Sequence, residues 1–119
     1  FAATQEARAS LQWQQLCSNS SCGQGPPARF GHTSVAYMRE DSAQMYAFGG
    51  QNVEMGRTFS DLWALTCPRV PVSMHYWDTA TRLGECHWAP ICNATSCGSP
   101  PAPRAGATGV LDDAGRALV

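Results

Sequence analysis

The chain has 119 residues, 44% of them hydrophobic, and a formal net charge of -1. That suffices for one modest domain with a buried core. The near-neutral charge recommends no nucleic acid as partner, and no apolar run approaches the ~20 residues a bilayer helix requires, so no direct membrane insertion is expected in this segment.

Residues 1–10 are Ala-rich and carry no motif. Leu11 to Cys17 alternates partly and reads as a short strand. A tight Cys17–Cys22 loop follows, and Gly23-Gln24-Gly25-Pro26-Pro27 behind it breaks regular structure. The run from Arg29 to Tyr37 then reads as a first strand, Arg39 to Gln44 as its polar turn, and Met45 to Phe48 as a second strand stopped by Gly49-Gly50. A glycine pair there implies backbone that turns sharply or passes very close to a neighbour. Gln51 to Thr58 is expected to be a loop. Phe59 to Cys67 reads as a third strand, with Leu62 or Trp63 facing the core according to register. Residues 68–85 form an insertion, and Cys86 to Ile91 begins a fourth strand. The start at Phe1 and the stop in the apolar run Ala117-Leu118-Val119 read as those of a fragment of a longer chain.

One window recurs. Sliding Trp13–Val35 by 75 positions onto Trp88–Val110 aligns, without a gap, Trp13 with Trp88, Cys17 with Cys92, Ser21 with Ser96, Cys22 with Cys97, Gly23 with Gly98, Pro26 with Pro101, Arg29 with Arg104, Gly31 with Gly106, Thr33 with Thr108 and Val35 with Val110. Because rare residues dominate the match, an internal repeat explains it better than coincidence. Four short strands per repeat, ordered as a meander, suggest one blade of a propeller.

The motifs resemble the kelch repeat: Arg29-x-Gly31-His32-Thr33 on the first strand, Met45-Tyr46-Ala47-Phe48-Gly49-Gly50 on the second, Asp61-Leu62-Trp63 on the third, Trp88 on the fourth, and then a new Arg104-x-Gly106. The second copy departs from the pattern, since Ala107 stands in place of the histidine. The resemblance implies an all-β fold, a fragment of a kelch-type β-propeller with about one complete four-stranded antiparallel blade plus parts of two neighbours. Residues 1–25 would be the end of the preceding blade and the interblade loop. Residues 26–97 would be one complete blade, with the insertion 68–85 and the following cysteine loop, and residues 98–119 the start of the next. The remaining blades of the same parent chain are then obligate partners, because a propeller needs several blades to close.

Six cysteines form an even set, and Cys17–Cys22 and Cys92–Cys97 share one spacing. Each loop encloses an N-x-[ST] acceptor site, at Asn19 and at Asn93. Two sequons inside matching loops indicate a secreted or cell-surface glycoprotein, an extracellular setting in which thiols end as disulfides. Local bridges within each loop are sterically plausible, at about 2 kcal/mol each from loop closure. Cys67 and Cys86, at the end of the third strand and the start of the fourth, are expected to form a third bridge of about 3 kcal/mol. Six cysteines allow fifteen pairings, so spacing proves none. Zinc is the competing use, but the cysteines lack a companion C-x2-C or H-x3-H, and no metal or other cofactor is expected. His32 is expected to pack and hydrogen-bond within its blade.

The sequence shows no nucleophile with its base, no carboxylate pair and no phosphate loop, so no enzyme is expected. A copper site of the galactose-oxidase type would need a Tyr/His arrangement that Tyr37, Tyr46 and Tyr76 do not provide. The expected function is binding or scaffolding, with other protein chains or glycans engaged at the propeller faces. A structural subunit of an extracellular fibre or coat is the alternative. Within the insertion, Met74, His75, Tyr76 and Trp77 put large groups into one loop; they either form a contact surface or fold back over the blade.

Overall fold

The computed structural model describes residues 13–18, 20–72, 81–92, 98–114 and 117–118. Among them there are strands and turns and no helix. β1 (Thr33–Met38), β2 (Ser42–Phe48), β5 (Leu62–Pro71) and β7 (His87–Cys92) form an antiparallel sheet in the order β1-β2-β5-β7. A short β6 (Thr81–Leu83) pairs with the far end of β5. Two further hairpins are β3 (Gln51–Asn52) with β4 (Arg57–Thr58) and β8 (Val110–Leu111) with β9 (Ala117–Leu118). The fold is all-β, and its antiparallel meander is consistent with one propeller blade.

Register follows the period of two. Met45 stands opposite Leu65, which stands opposite Trp88, and Ala43 stands opposite Cys67. These residues share one face, where Cys22, Leu65, Cys67 and Cys86 form a buried cluster joined by Leu16, Cys17, Met45, Leu83 and Trp88. The cover on that face is the strap of chain before the sheet. It is tied down where the Trp88 amide donates to the Cys22 carbonyl at 2.9 Å. Gly25 lies against the Trp88 indole so closely that a Cβ there would stand 3.0 Å from Cδ1.

The opposite face carries Thr33 and Val35, whose side chains lie 3.0 and 3.3 Å from where a Cβ on Gly109 would stand. Chain after the sheet covers that side. It is held by three backbone bonds: Gly50 N–H to the Arg104 carbonyl at 2.9 Å, Arg104 N–H to Phe59 at 3.1 Å, and Gly106 N–H to Gly31 at 2.7 Å. A sheet covered on both faces needs small residues where neighbours press closely, and Ala43, Ala47 and Ala64 are buried.

Gly49-Gly50 is where these segments converge. Both residues have positive φ, 70° and 92°. A Cβ on Gly49 would lie 2.6 Å from the Arg104 carbonyl oxygen, and one on Gly50 2.9 Å from that of Phe30. The pair therefore serves a turn and a close approach together.

Several local expectations change. The first strand begins at Thr33, not Arg29, because Gly31 at φ 68° turns the chain and sends Phe30 to bridge Gln51. Residues 51–58 are a hairpin, not a loop. The third strand runs past Cys67 into the insertion as far as Pro71. Pro68 is tolerated there because Arg69 N–H donates to Asp41 on one side, so the donor that Pro68 lacks falls on the other, between the end of β6 and the start of β7. His32, expected to pack and hydrogen-bond, is exposed. The outer strand β7 carries Pro90 in phase with Trp88, whose amide points outward to Cys22, so its free edge offers few donors.

Cys67 and Cys86 are disulfide-bonded with a Cα–Cα distance of 4.1 Å, and Cys17 and Cys22 are bonded at 5.4 Å. Gly49→Ala is expected to lose about 1–2 kcal/mol from the positive φ alone, with a further loss from the contact with Arg104. Replacing Cys67 and Cys86 together by alanine should lower stability by about 3 kcal/mol. Denaturant unfolding of each variant measures both, and an unchanged midpoint would contradict the packing described.

Candidate interaction surface

Arg29 lies between the strap and β1 with its side chain 5% exposed. A buried cation must be paired, and four of the five guanidinium N–H groups donate within the protein. Nη1 donates to Asp61 Oδ1 at 2.5 Å and to the Gly49 carbonyl at 2.9 Å, while Nη2 donates to Asp61 Oδ2 at 3.0 Å. Nε donates to the Pro27 carbonyl at 3.1 Å, and the guanidinium carbon sits 3.9 Å from the Phe59 ring centroid. Trp63 Nε1 donates to Asp61 Oδ2 at 2.8 Å. Burial pushes the Asp61 carboxyl up, but the bonds from Arg29 and Trp63 and the guanidinium charge outweigh it and hold the group below its ordinary value.

This anchored cluster carries the β3–β4 hairpin outward. Phe30 and Gln51 exchange two backbone bonds of 2.9 Å. Asn52 fastens both sides of the turn: its Nδ2 donates to the Ala28 carbonyl at 2.8 Å, and its Oδ1 accepts from Met55 N–H at 3.0 Å. Gly56, at φ 63°, closes the turn through a bond to the Val53 carbonyl at 3.0 Å. The hairpin is therefore held by its own polar groups, and its apolar side chains are left outside.

Phe30 is 53% exposed, Val53 72% and Met55 48%. Phe30 and Val53, with Ala28, Arg29, Gln51, Asn52 and Glu54, line an open concavity of about 420 Å³. Large apolar groups on loops around a concavity suit contact with another molecule. No motif in the sequence singles out Phe30, Val53 or Met55. The available signal was Val53, Glu54 and Met55 lying between an Asn and a Gly, a turn that raises apolar side chains into solvent.

Of the residues singled out by sequence, Cys17, Cys22, Cys67 and Cys86 are brought together on one face of the sheet. Asn19, Asn93, Cys97 and the group Met74, His75, Tyr76 and Trp77 lie outside the described residues, and Cys92 is described only as the end of β7. Among the described residues, no group of three or more His, Cys, Asp or Glu side chains could hold a metal ion.

Asp61→Asn should lower stability by about 3 kcal/mol, because it leaves a buried guanidinium without its counter-charge. The carboxyl is depressed in the folded state, so its contribution is present above the unfolded value of 3.8 and is lost as pH falls through the lower folded value. The stability gap between wild type and Asp61→Asn, measured by urea unfolding against pH, should therefore be constant near neutrality and shrink below about pH 3.8.

No protein-family model matches the chain, and no solved structure matches it. Among curated proteins it is similar to the Host cell factor homolog hcf-1 of Caenorhabditis elegans, with 30% identity over 102 residues. That match covers 85% of this chain and 10% of the relative, so the chain spans about a tenth of the length of the protein it resembles.

Proposed function

We propose that the chain is part of a kelch-type β-propeller that works as a non-enzymatic interaction or scaffolding module of a secreted or cell-surface glycoprotein. The observation that carries this reading is the division of surfaces. The chain's own flanking segments pack on both faces of the sheet, leaving Met38 and Ile91 exposed on its outer strands, while Phe30 and the hairpin side chains Val53 and Met55 stand exposed together beside a concavity. Contact with a partner is the use such a surface supports best.

The repeat supports the propeller half of the reading. Arg104 reproduces the local geometry of Arg29, its Nε donating to the carbonyl two residues back at 3.0 Å as Arg29 does at 3.1 Å. The second copy of Arg-x-Gly docks by backbone bonds on Gly31, Gly50 and Phe59 of the first. Repeated application of that docking yields a succession of blades with residues 26–97 as the unit. The two disulfides support an oxidising, extracellular location. The depressed carboxylate of Asp61 is spent on Arg29 and Trp63, which favours a structural over a catalytic role for it.

Protein or glycan partners are the ligands of this reading, and the Met74–Trp77 loop is its second candidate surface. The test is a binding screen of the parent protein against secreted-protein and glycan arrays. It is repeated with Phe30→Asp plus Val53→Asp, and separately with residues 74–77 replaced by Gly and Ser. A ligand whose affinity falls about tenfold or more in either variant, at unchanged melting temperature, supports the proposal; about 1.4 kcal/mol per tenfold sets that scale. A ligand indifferent to both variants would remove these surfaces. Turnover of an alcohol or sugar after copper loading would overturn the non-enzymatic reading, and concentration-dependent polymers in sedimentation would favour the fibre subunit.

A further inference from the structure

The four cysteines bonded among the described residues differ in burial although they meet in one cluster. Cys22, Cys67 and Cys86 are 2%, 3% and 1% exposed, whereas Cys17 is only half-buried at the margin. The Cys67–Cys86 bond lies under the strap with both sulfurs enclosed. In the Cys17–Cys22 bond, Cys22 is buried and Cys17 is partly buried at the edge of the cluster. Thiol–disulfide exchange requires a thiolate to reach a sulfur directly, so access decides which bond opens and at which atom.

We propose that Cys17 Sγ is a thiol-exchange site for small thiols of the glutathione class, and that exchange there frees residues 13–18 of the strap from their covalent tie to the blade. In the first step the thiolate attacks Cys17 Sγ and forms a mixed disulfide. The Cys17–Cys22 bond breaks, its electron pair leaves on Cys22 Sγ, and that thiolate takes a proton from water. A second thiolate then attacks the small-molecule sulfur of the mixed disulfide, releasing the oxidised thiol pair and the Cys17 thiolate. The leaving sulfur is provided for, since the Leu16 carbonyl oxygen lies 3.5 Å from Cys22 Sγ. While the bridge is intact that sulfur has no hydrogen and the approach is a contact only; once protonated, the thiol can donate there.

The consequence is directional. Cys22 remains held to the sheet by the bond from Trp88 N–H to its carbonyl. Residues 13–18 lose their covalent tie and keep the packing of Leu16 and the turn bonds from Ser21 N–H to the Ser18 carbonyl at 2.9 Å and from Ser18 N–H to Ser21 Oγ at 2.8 Å. The repeat aligns Cys17 with Cys92, the last residue of β7, so the bond joins the end of one unit to the core of the next. The exchange chemistry stands without the propeller reading; only its effect on a joint between blades rests on it.

The experiment is a time course of the native protein in reduced glutathione, quenched by acid, unfolded in denaturant, alkylated with a maleimide and mapped by peptide mass, with hydrogen exchange followed in parallel. The expected first product carries glutathione on Cys17 and alkylation on Cys22, with Cys67–Cys86 still bridged and opening about tenfold more slowly or less. Amides of residues 13–18 should then exchange faster while those of β2 and β5 keep their protection. Glutathione found first on Cys22, or Cys67–Cys86 opening at an equal or greater rate, would overturn the site. A Cys17→Ser, Cys22→Ser variant separates the two halves of the proposal: strap exchange like that of the reduced protein supports release, and exchange like that of the oxidised protein overturns it.

Discussion

The Arg29–Asp61 pair is the constraint on which the arrangement depends. Its partners are 32 residues apart and approach the sheet from different ends, Arg29 before β1 and Asp61 before β5. Holding a guanidinium at 5% exposure requires its charge and donors to be answered, and Asp61, Gly49 and Pro27 accept four N–H groups while the Phe59 ring stacks on its face. Because those partners come from three segments, the pair fixes where β2 ends, where β5 starts and how the hairpin between them leaves the sheet. Gly49-Gly50 is the steric complement of this cluster, since only backbone without a Cβ lets residues 30, 59 and 104 come so close.

With the junction set, the sheet becomes a layer between two others. The strap before it closes over Leu65, Met45 and Trp88, and the segment after it closes over Thr33 and Val35. A free-standing antiparallel sheet keeps one face wet. This one has a flanking segment packed on each face, with its outer strands β1 and β7 still partly open to solvent, and exposed apolar side chains are grouped at the β3–β4 hairpin and the Phe30 beside it. Division of labour between a covered sheet and open loops is how a rigid scaffold carries recognition.

Much of the fold was legible because its signals are local. Alternation over Thr33–Met38, the glycine pair after Phe48 and the short-range cysteine spacing each act within a few residues, where steric rules are strong. Short elements escaped. The hairpin at 51–58 has two-residue strands and owes its form to the Asn52 side chain, which bonds to Ala28, 24 residues away. The extension of β5 through Pro68 and Pro71 was hidden because proline reads as a breaker, and only the direction in which each amide points shows where a missing donor does no harm. His32 failed for a related reason: one-dimensional pattern says which residues alternate, and Gly31, by turning the chain, resets the phase.

The sequence by itself determined the all-β class, the repeat of 75 positions, the turn at Gly49-Gly50 and the presence of cysteines in pairable positions, because these follow from residue type and from spacing along one chain. The tertiary structure alone decided that Asp61 answers Arg29, that the chain before the sheet and the chain after it pack on opposite faces, that Cys17 is the least buried of the four cysteines bonded among the described residues, and that Phe30, Val53 and Met55 face outward. Those are questions of which distant segments share a surface. Burial, charge pairing and access are properties of that shared surface, and no single stretch of residues contains them.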